Sequence, residues 1–154
     1  MKDKILHYTD SINYELEQTA RLMKLLTIQL FDKLQLNITP DEYFALDTVS
    51  VNVGICQRDL AKLLLKDRAN TGRILDSLEQ KGFITRFVDT KNNRLVKKMG
   101  ITEKGYNELD MINSKIRSHI ENTRGKITPK EVQKVQEVLK KFRKNLEQMV
   151  KTNI

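Results

Sequence analysis

The feature that most restricts the fold is the stretch from Gln57 to Met99, where three short elements follow one another almost without connecting residues. Gln57 to Leu65 holds Leu60, Ala61, Leu63 and Leu64 and reads as a compact helix. Asp67 is placed to cap a second helix over roughly 68–81, with Ile74, Leu75 and Leu78 apolar and Gly82 free to take the positive φ that ends it. Phe83 to Val88 is rich in β-branched and aromatic residues and reads as a strand. Asp89 to Asn93 is a polar turn cluster, and Arg94 to Met99 reads as the returning strand. Helix, tight turn, helix and basic hairpin in that order make a helix-turn-helix with a wing.

Such a motif has a physical logic that selects its residues. The second helix must bury one stripe and offer the opposite stripe to base edges. At 3.6 residues per turn, Thr71, Leu75 and Leu78 share one side, while Asn70, Arg73 and Ser77 turn outward. Arg matches the acceptors of guanine and Asn the donor–acceptor pair of adenine in a major groove. Arg68, in the first turn, is within reach of a base or a phosphate, and the helix N-terminus adds partial positive charge for the latter. Lys91 and Arg94 stand at the hairpin tip, where they face a neighbouring backbone or minor groove. Plainer readings exist: Arg73 pairing with Asp76 on its own helix, and Asn70 as an ordinary polar surface residue. Lys97 and Lys98 alternate faces of their strand, so at most one of them points to nucleic acid.

The charge distribution agrees with a polyanion partner. The chain of 154 residues carries 28 Lys+Arg against 20 Asp+Glu, a net +8. Residues 1–55 are net −3, 56–105 net +6, 106–114 net −2 and 115–154 net +7. A solvated helix face would give the same sums, so the motif and not the charge carries the argument.

The flanks are helical. Ile12, Leu16, Ala20, Met23, Leu26, Leu30 and Leu34 recur in steps of three and four and predict a long amphipathic helix over about Thr9–Leu36. Thr39-Pro40-Asp41-Glu42 predicts a helix start with a capping box, followed by Tyr43, Phe44, Leu46 and Val49 as its buried side and Gly54 as its stop. Thr102 is placed to cap a helix with Tyr106, Leu109, Ile112, Ile116 and Ile120 along one side. Thr128-Pro129-Lys130-Glu131 repeats the capping signature, and Val132, Val135, Leu139, Phe142, Leu146 and Met149 then run in steps of 3, 4, 3, 4, 3. That heptad seam wants a partner helix, from a second copy or from this chain's own acidic first helix. The expected fold class is mainly α with a small β-hairpin, a winged helix-turn-helix between N- and C-terminal dimerisation helices.

Other chemistries find little support. His7 and His119 lie in different helices with no carboxylate or cysteine at ligand spacing, and no phosphate loop, HExxH or nucleophile elbow occurs. No enzymatic activity, cofactor or metal is expected. The longest uncharged run, Thr48–Gln57, is about half of a ~20-residue membrane span. Asp3 and Asp10 interrupt the stretch a signal peptide needs, so the expected location is cytoplasmic.

Ile38-Thr39-Pro40-Asp41-Glu42, Asp59-Leu60-Ala61, Asp67-Arg68, the run Arg73 to Arg86 (with Leu78-Glu79-Gln80-Lys81-Gly82-Phe83-Ile84-Thr85-Arg86) and Ile101-Thr102-Glu103-Lys104-Gly105 together resemble the MarR family of bacterial transcription regulators. The motifs cover about residues 38–110. The resemblance implies a homodimer, a palindromic operator in double-stranded DNA, a recognition helix at 68–81, a wing arginine at Arg94, and repression relieved by a small molecule or oxidant. It also implies three parts: a dimerisation helix in 1–37, a DNA-binding winged lobe in 38–101 and dimerisation helices in 102–154. Asn92 departs from the family pattern, which places an aspartate two residues before the wing arginine. The alternative reading from another class is a winged-helix module that binds protein.

The single cysteine, Cys56, falls at the N-cap of the first motif helix. A helix N-terminus favours a thiolate, which would suit an oxidant sensor. A small buried thiol that fills space is the favoured reading.

Overall fold

The computed structural model describes residues 7–150. The chain divides into two compact units, the first ending at Pro40 and the second beginning at Asp41. In the first, a 3₁₀ turn over Tyr8–Asp10 leads into α1 (Ile12–Lys33). The helix starts later than its apolar period suggested, because Ser11 takes an extended conformation and its hydroxyl accepts the Tyr14 amide. Only Phe31 of α1 is buried; Ile12, Met23 and Leu26 of the expected apolar face, and Leu22, Leu25 and Ile28 beside it, are exposed.

The second unit contains α2 (Pro40–Val51, from Asp41 on), α3 (Gln57–Leu64), α4 (Arg68–Gln80), β1 (Ile84–Lys91), β2 (Arg94–Ile101), α5 (Glu103–Arg124) and α6 (Pro129–Met149). Its interior is built from Ala45, Leu46 and Val49 of α2, Leu60 and Ala61 of α3, Leu75 and Leu78 of α4, Ile84 and Met99 of the hairpin, and Leu109, Ile112 and Ile116 of α5. Burying a Leu or Ile of this kind contributes about 1.5–3 kcal/mol. Phe44, Leu63, Tyr106 and Ile120, expected on buried faces, are exposed instead. Apolar spacing alone does not tell which apolar side chains of a helix reach the core: Phe44 lies on the side of α2 away from Ala45, Leu46 and Val49.

α3 ends at Leu65, which adopts a left-handed φ of 52° without being glycine, and its amide bonds back to Ala61 and Lys62. This tight reversal sets the helix-turn-helix angle. Asp67 then caps α4, its carboxylate accepting the Asn70 amide at 2.7 Å. The hairpin is longer than the strand propensities indicated. Pairing runs from Ile84 opposite Ile101 to Lys91 opposite Arg94, and the turn contracts to Asn92 and Asn93, with φ of 52° and 61°. Positive φ at both central residues is what a two-residue hairpin turn demands, and Asn tolerates it. A third strand rung is added where Met99 donates to the Ile55 carbonyl at 2.9 Å and Cys56 bridges Lys98.

The start of α5 is locked onto the end of α4. Thr102 donates its amide to the Phe83 carbonyl (3.0 Å) and its hydroxyl to that of Gly82 (2.6 Å), and Lys104 reaches the Lys81 carbonyl (2.8 Å). α6 begins with the expected capping box of Thr128 and Glu131. None of its residues is buried, and Val135, Leu146 and Met149 of the heptad seam are exposed.

Candidate nucleic-acid interface

α4 is fixed on three sides, and what those contacts leave over defines the exposed edge. Inward, Thr71, Leu75 and Leu78 are buried. At its start, Asp67 accepts both the backbone amide and the side-chain amide of Asn70, the latter at 2.6 Å. These bonds, led by the backbone one, hold the Asp67 carboxyl below the usual range. At its end, Glu42 of α2, itself buried, accepts from Ser77 Oγ at 3.1 Å and from Lys81 Nζ at 2.7 Å.

Ser77 therefore does not point outward as the helical wheel suggested. It is half-buried and turned toward α2, because a carboxylate at 42 needs donors and the serine hydroxyl supplies one. Asn70 is exposed, with its amide nitrogen engaged by the cap. Arg68 and Arg73 are exposed and form no ion pair among the described residues; Arg73 Nε lies 3.5 Å from the Ala69 carbonyl of its own helix.

The acids on this edge are neutralised from the wing. Arg86 at the root of β1 reaches Asp76 Oδ1 at 2.5 Å and Glu79 Oε1 at 3.0 Å, with its side chain only 17% exposed. The hydrogen bond from Arg86 pulls the Glu79 carboxyl down, and Glu79 in turn raises the guanidinium. The plainer reading of Arg73 as a partner of Asp76 is thus corrected: Asp76 belongs to Arg86. Sequence reasoning gave Arg86 no role, although its presence six residues after Gln80 in a strand start was a signal that it would lie beside that helix.

On the hairpin, Arg94 and Lys97 are exposed and carry no ion pair among the described residues. Lys98 is held by Asp89 at 3.1 Å, so of the two adjacent lysines it is Lys97 that is left free of an ion pair. Lys91 is paired with Asp59 of α3. Between α3 and the wing lies a cleft of about 630 Å³ whose lining includes Cys56, Arg58, Asp59, Lys62, Lys91 and Arg94. Cys56 is 5% exposed and makes no side-chain cap bond to α3. That burial leaves the thiol little access to an oxidant.

A family model for the MarR family matches residues 38–96. An uncharacterised HTH-type transcriptional regulator, YybA of Bacillus subtilis strain 168, is 30% identical over 112 residues, covering 73% of this chain and 74% of YybA. The chain belongs to the MarR family. Solved structures agree: the transcriptional regulator SlyA superposes with a TM-score of 0.74 at 28% identity, over 90% of this chain and 95% of SlyA. A MarR protein from Peptoclostridium difficile gives 0.76 at 23% identity over 97% of each chain, and Staphylococcus aureus MepR in complex with DNA gives 0.71 at 22% over 91% and 99%. This MarR-family chain is accordingly a winged-helix, DNA-binding transcriptional regulator and not an enzyme. Among the described residues no cluster of His, Cys, Asp or Glu could hold a metal, and no helix is long and apolar enough to cross a membrane.

Proposed function

We propose that this regulator acts in the cytoplasm as a homodimer that represses transcription by holding an inverted repeat in double-stranded DNA, two copies of α4 entering successive major grooves. The reading rests above all on the edge of α4, where Arg68 and Arg73 stand exposed and without ion pairs among the described residues while Arg86 silences the neighbouring acids. Arg73 and Asn70 read bases, Arg68 anchors, and Arg94 and Lys91 act from the wing. Asn70 must exchange its bond to Asp67 for a base, and Ser77 contributes by holding α4 on α2. The lobe of 38–101 is the DNA-binding part, with 1–37 and 102–154 joining the copies.

Dimerisation is supported by the apolar positions that stay exposed on α1 and α6. A heptad seam with no buried residue is a surface that water disfavours and a second copy would cover. Release by a small-molecule ligand follows the family pattern. Selection of duplexes from a random library tests the reading. Enriched inverted repeats with half-sites about 10–10.5 bp apart support it. Recovery of no preferred sequence, or of single unpaired half-sites, refutes it.

A further inference from the structure

The hairpin closes on two like charges. Asn92 and Asn93 form the whole turn, so Lys91 and Arg94 are the last directly opposed pair, on one face of the wing. Like charges in that arrangement repel. The remedy comes from outside the hairpin: Asp59, in the first turn of α3, pairs with Lys91 across the cleft. It is the one carboxylate among the described residues lining that cleft, beside Arg58, Lys62, Arg94 and Lys97. Its position in the first turn of α3, near the helix N-terminus, favours an acid there.

We propose that Asp59 sets the DNA specificity of this protein by occupying Lys91 until a correct site displaces it; the proposal rests on the reading of the wing as a DNA-facing element. In the free chain the Lys91 charge is already spent on Asp59, so casual contact with a duplex gains nothing from it. Arg94, opposite, has no such partner among the described residues and samples DNA first. A site that draws the wing tip in through Arg94 places phosphates where they compete with Asp59 for Lys91. Asp59 thus lowers binding to arbitrary DNA more than binding to the preferred site.

Fluorescence anisotropy of the full chain on a mixed-sequence duplex, and on a duplex it has itself selected, tests this across a salt series. Each added phosphate contact steepens the slope of log K against log salt by about 0.9. Asp59→Asn is expected to steepen the mixed-sequence slope by that amount, which is about 8-fold tighter binding per tenfold drop in salt. The selected duplex should gain less, so their ratio falls. Asp59→Glu keeps the wild-type slope. In a Lys91→Ala background, Asp59→Asn should change nothing. An unchanged slope, or an equal gain with Lys91 absent, overturns the role of Asp59 while leaving the DNA reading intact. A wild-type chain that binds neither duplex overturns both.

Discussion

Replacing Gly105 by alanine sets two physical effects against each other, and they differ in sign. Gly105 sits inside the first turn of α5, where helix propensity alone makes alanine about 1 kcal/mol better. The structure says otherwise. A Cβ at 105 would drive into the Phe83 carbonyl oxygen far inside van der Waals contact and would stand 2.8 Å from Ile101 Cγ1. The obstacle is backbone, so no rotamer relieves it, and the first turn of α5 must back away from the α4–β1 junction. Overpacking of this kind costs about 1–3 kcal/mol. The retreat also strains the bond from the Thr102 amide to the same Phe83 carbonyl, worth about 1 kcal/mol. After the propensity gain is subtracted, the expected loss is about 2 kcal/mol, or a drop in Tm of roughly 4–8 °C for a chain of this size. Urea denaturation at fixed protein concentration measures it, with an unchanged m-value if only stability has moved. An alanine variant as stable as the wild type, or more so, would refute the close docking of α5 on Phe83.

Leu75→Ala removes a fully buried side chain from α4 and should cost about 2–5 kcal/mol in the same assay, the cavity term included. Arg73→Ala should weaken the selected duplex by about 1–3 kcal/mol and relax preference at one base pair in a repeated selection, whereas Lys97→Ala should weaken all sequences alike and shallow the salt slope by about 0.9. Stability should hold steady at neutral pH and decline once the medium falls below the ordinary carboxylate range. Asp67, Glu79 and Asp89 are each held below their usual values, by the Asn70 amide, Arg86 and the Thr90 amide respectively. Groups depressed in the folded state stabilise it above their unfolded pKa and lose that contribution as pH drops through the folded one. Asp67→Asn, which keeps a capping side chain, should flatten part of the acid limb in a pH series of denaturation midpoints.

The winged motif was legible because its signals are local. Asp67, Gly82, Thr102 and Thr128 cap or close helices through their own chemistry, and each does so where the sequence places it. What stayed hidden depended on partners distant in the chain. Ser77 looks outward on a wheel until Glu42, from another helix, claims its hydroxyl. Asp76 looks like a mate for Arg73 until the hairpin folds Arg86 beside it. Lys91 reads as a free wing charge until Asp59 meets it across the cleft. The two motif fragments Lys81-Gly82-Phe83 and Thr102-Glu103-Lys104-Gly105 carry the family likeness in sequence, and the structure supplies their reason: they are the two halves of one joint.

The bonds from Ser77 and Lys81 to Glu42 have a mechanical consequence. From positions one helical turn apart at the far end of α4 they converge on the one Glu42 carboxylate, so a roll of α4 about its own axis strains both bonds to α2. The pitch at which Arg68 and Arg73 are presented is thereby tied to α2 as well as to the buried stripe and the Asp67 cap of α4 itself. Anything that tilts α2 by a few degrees steers both arginines together, as a rudder follows its tiller.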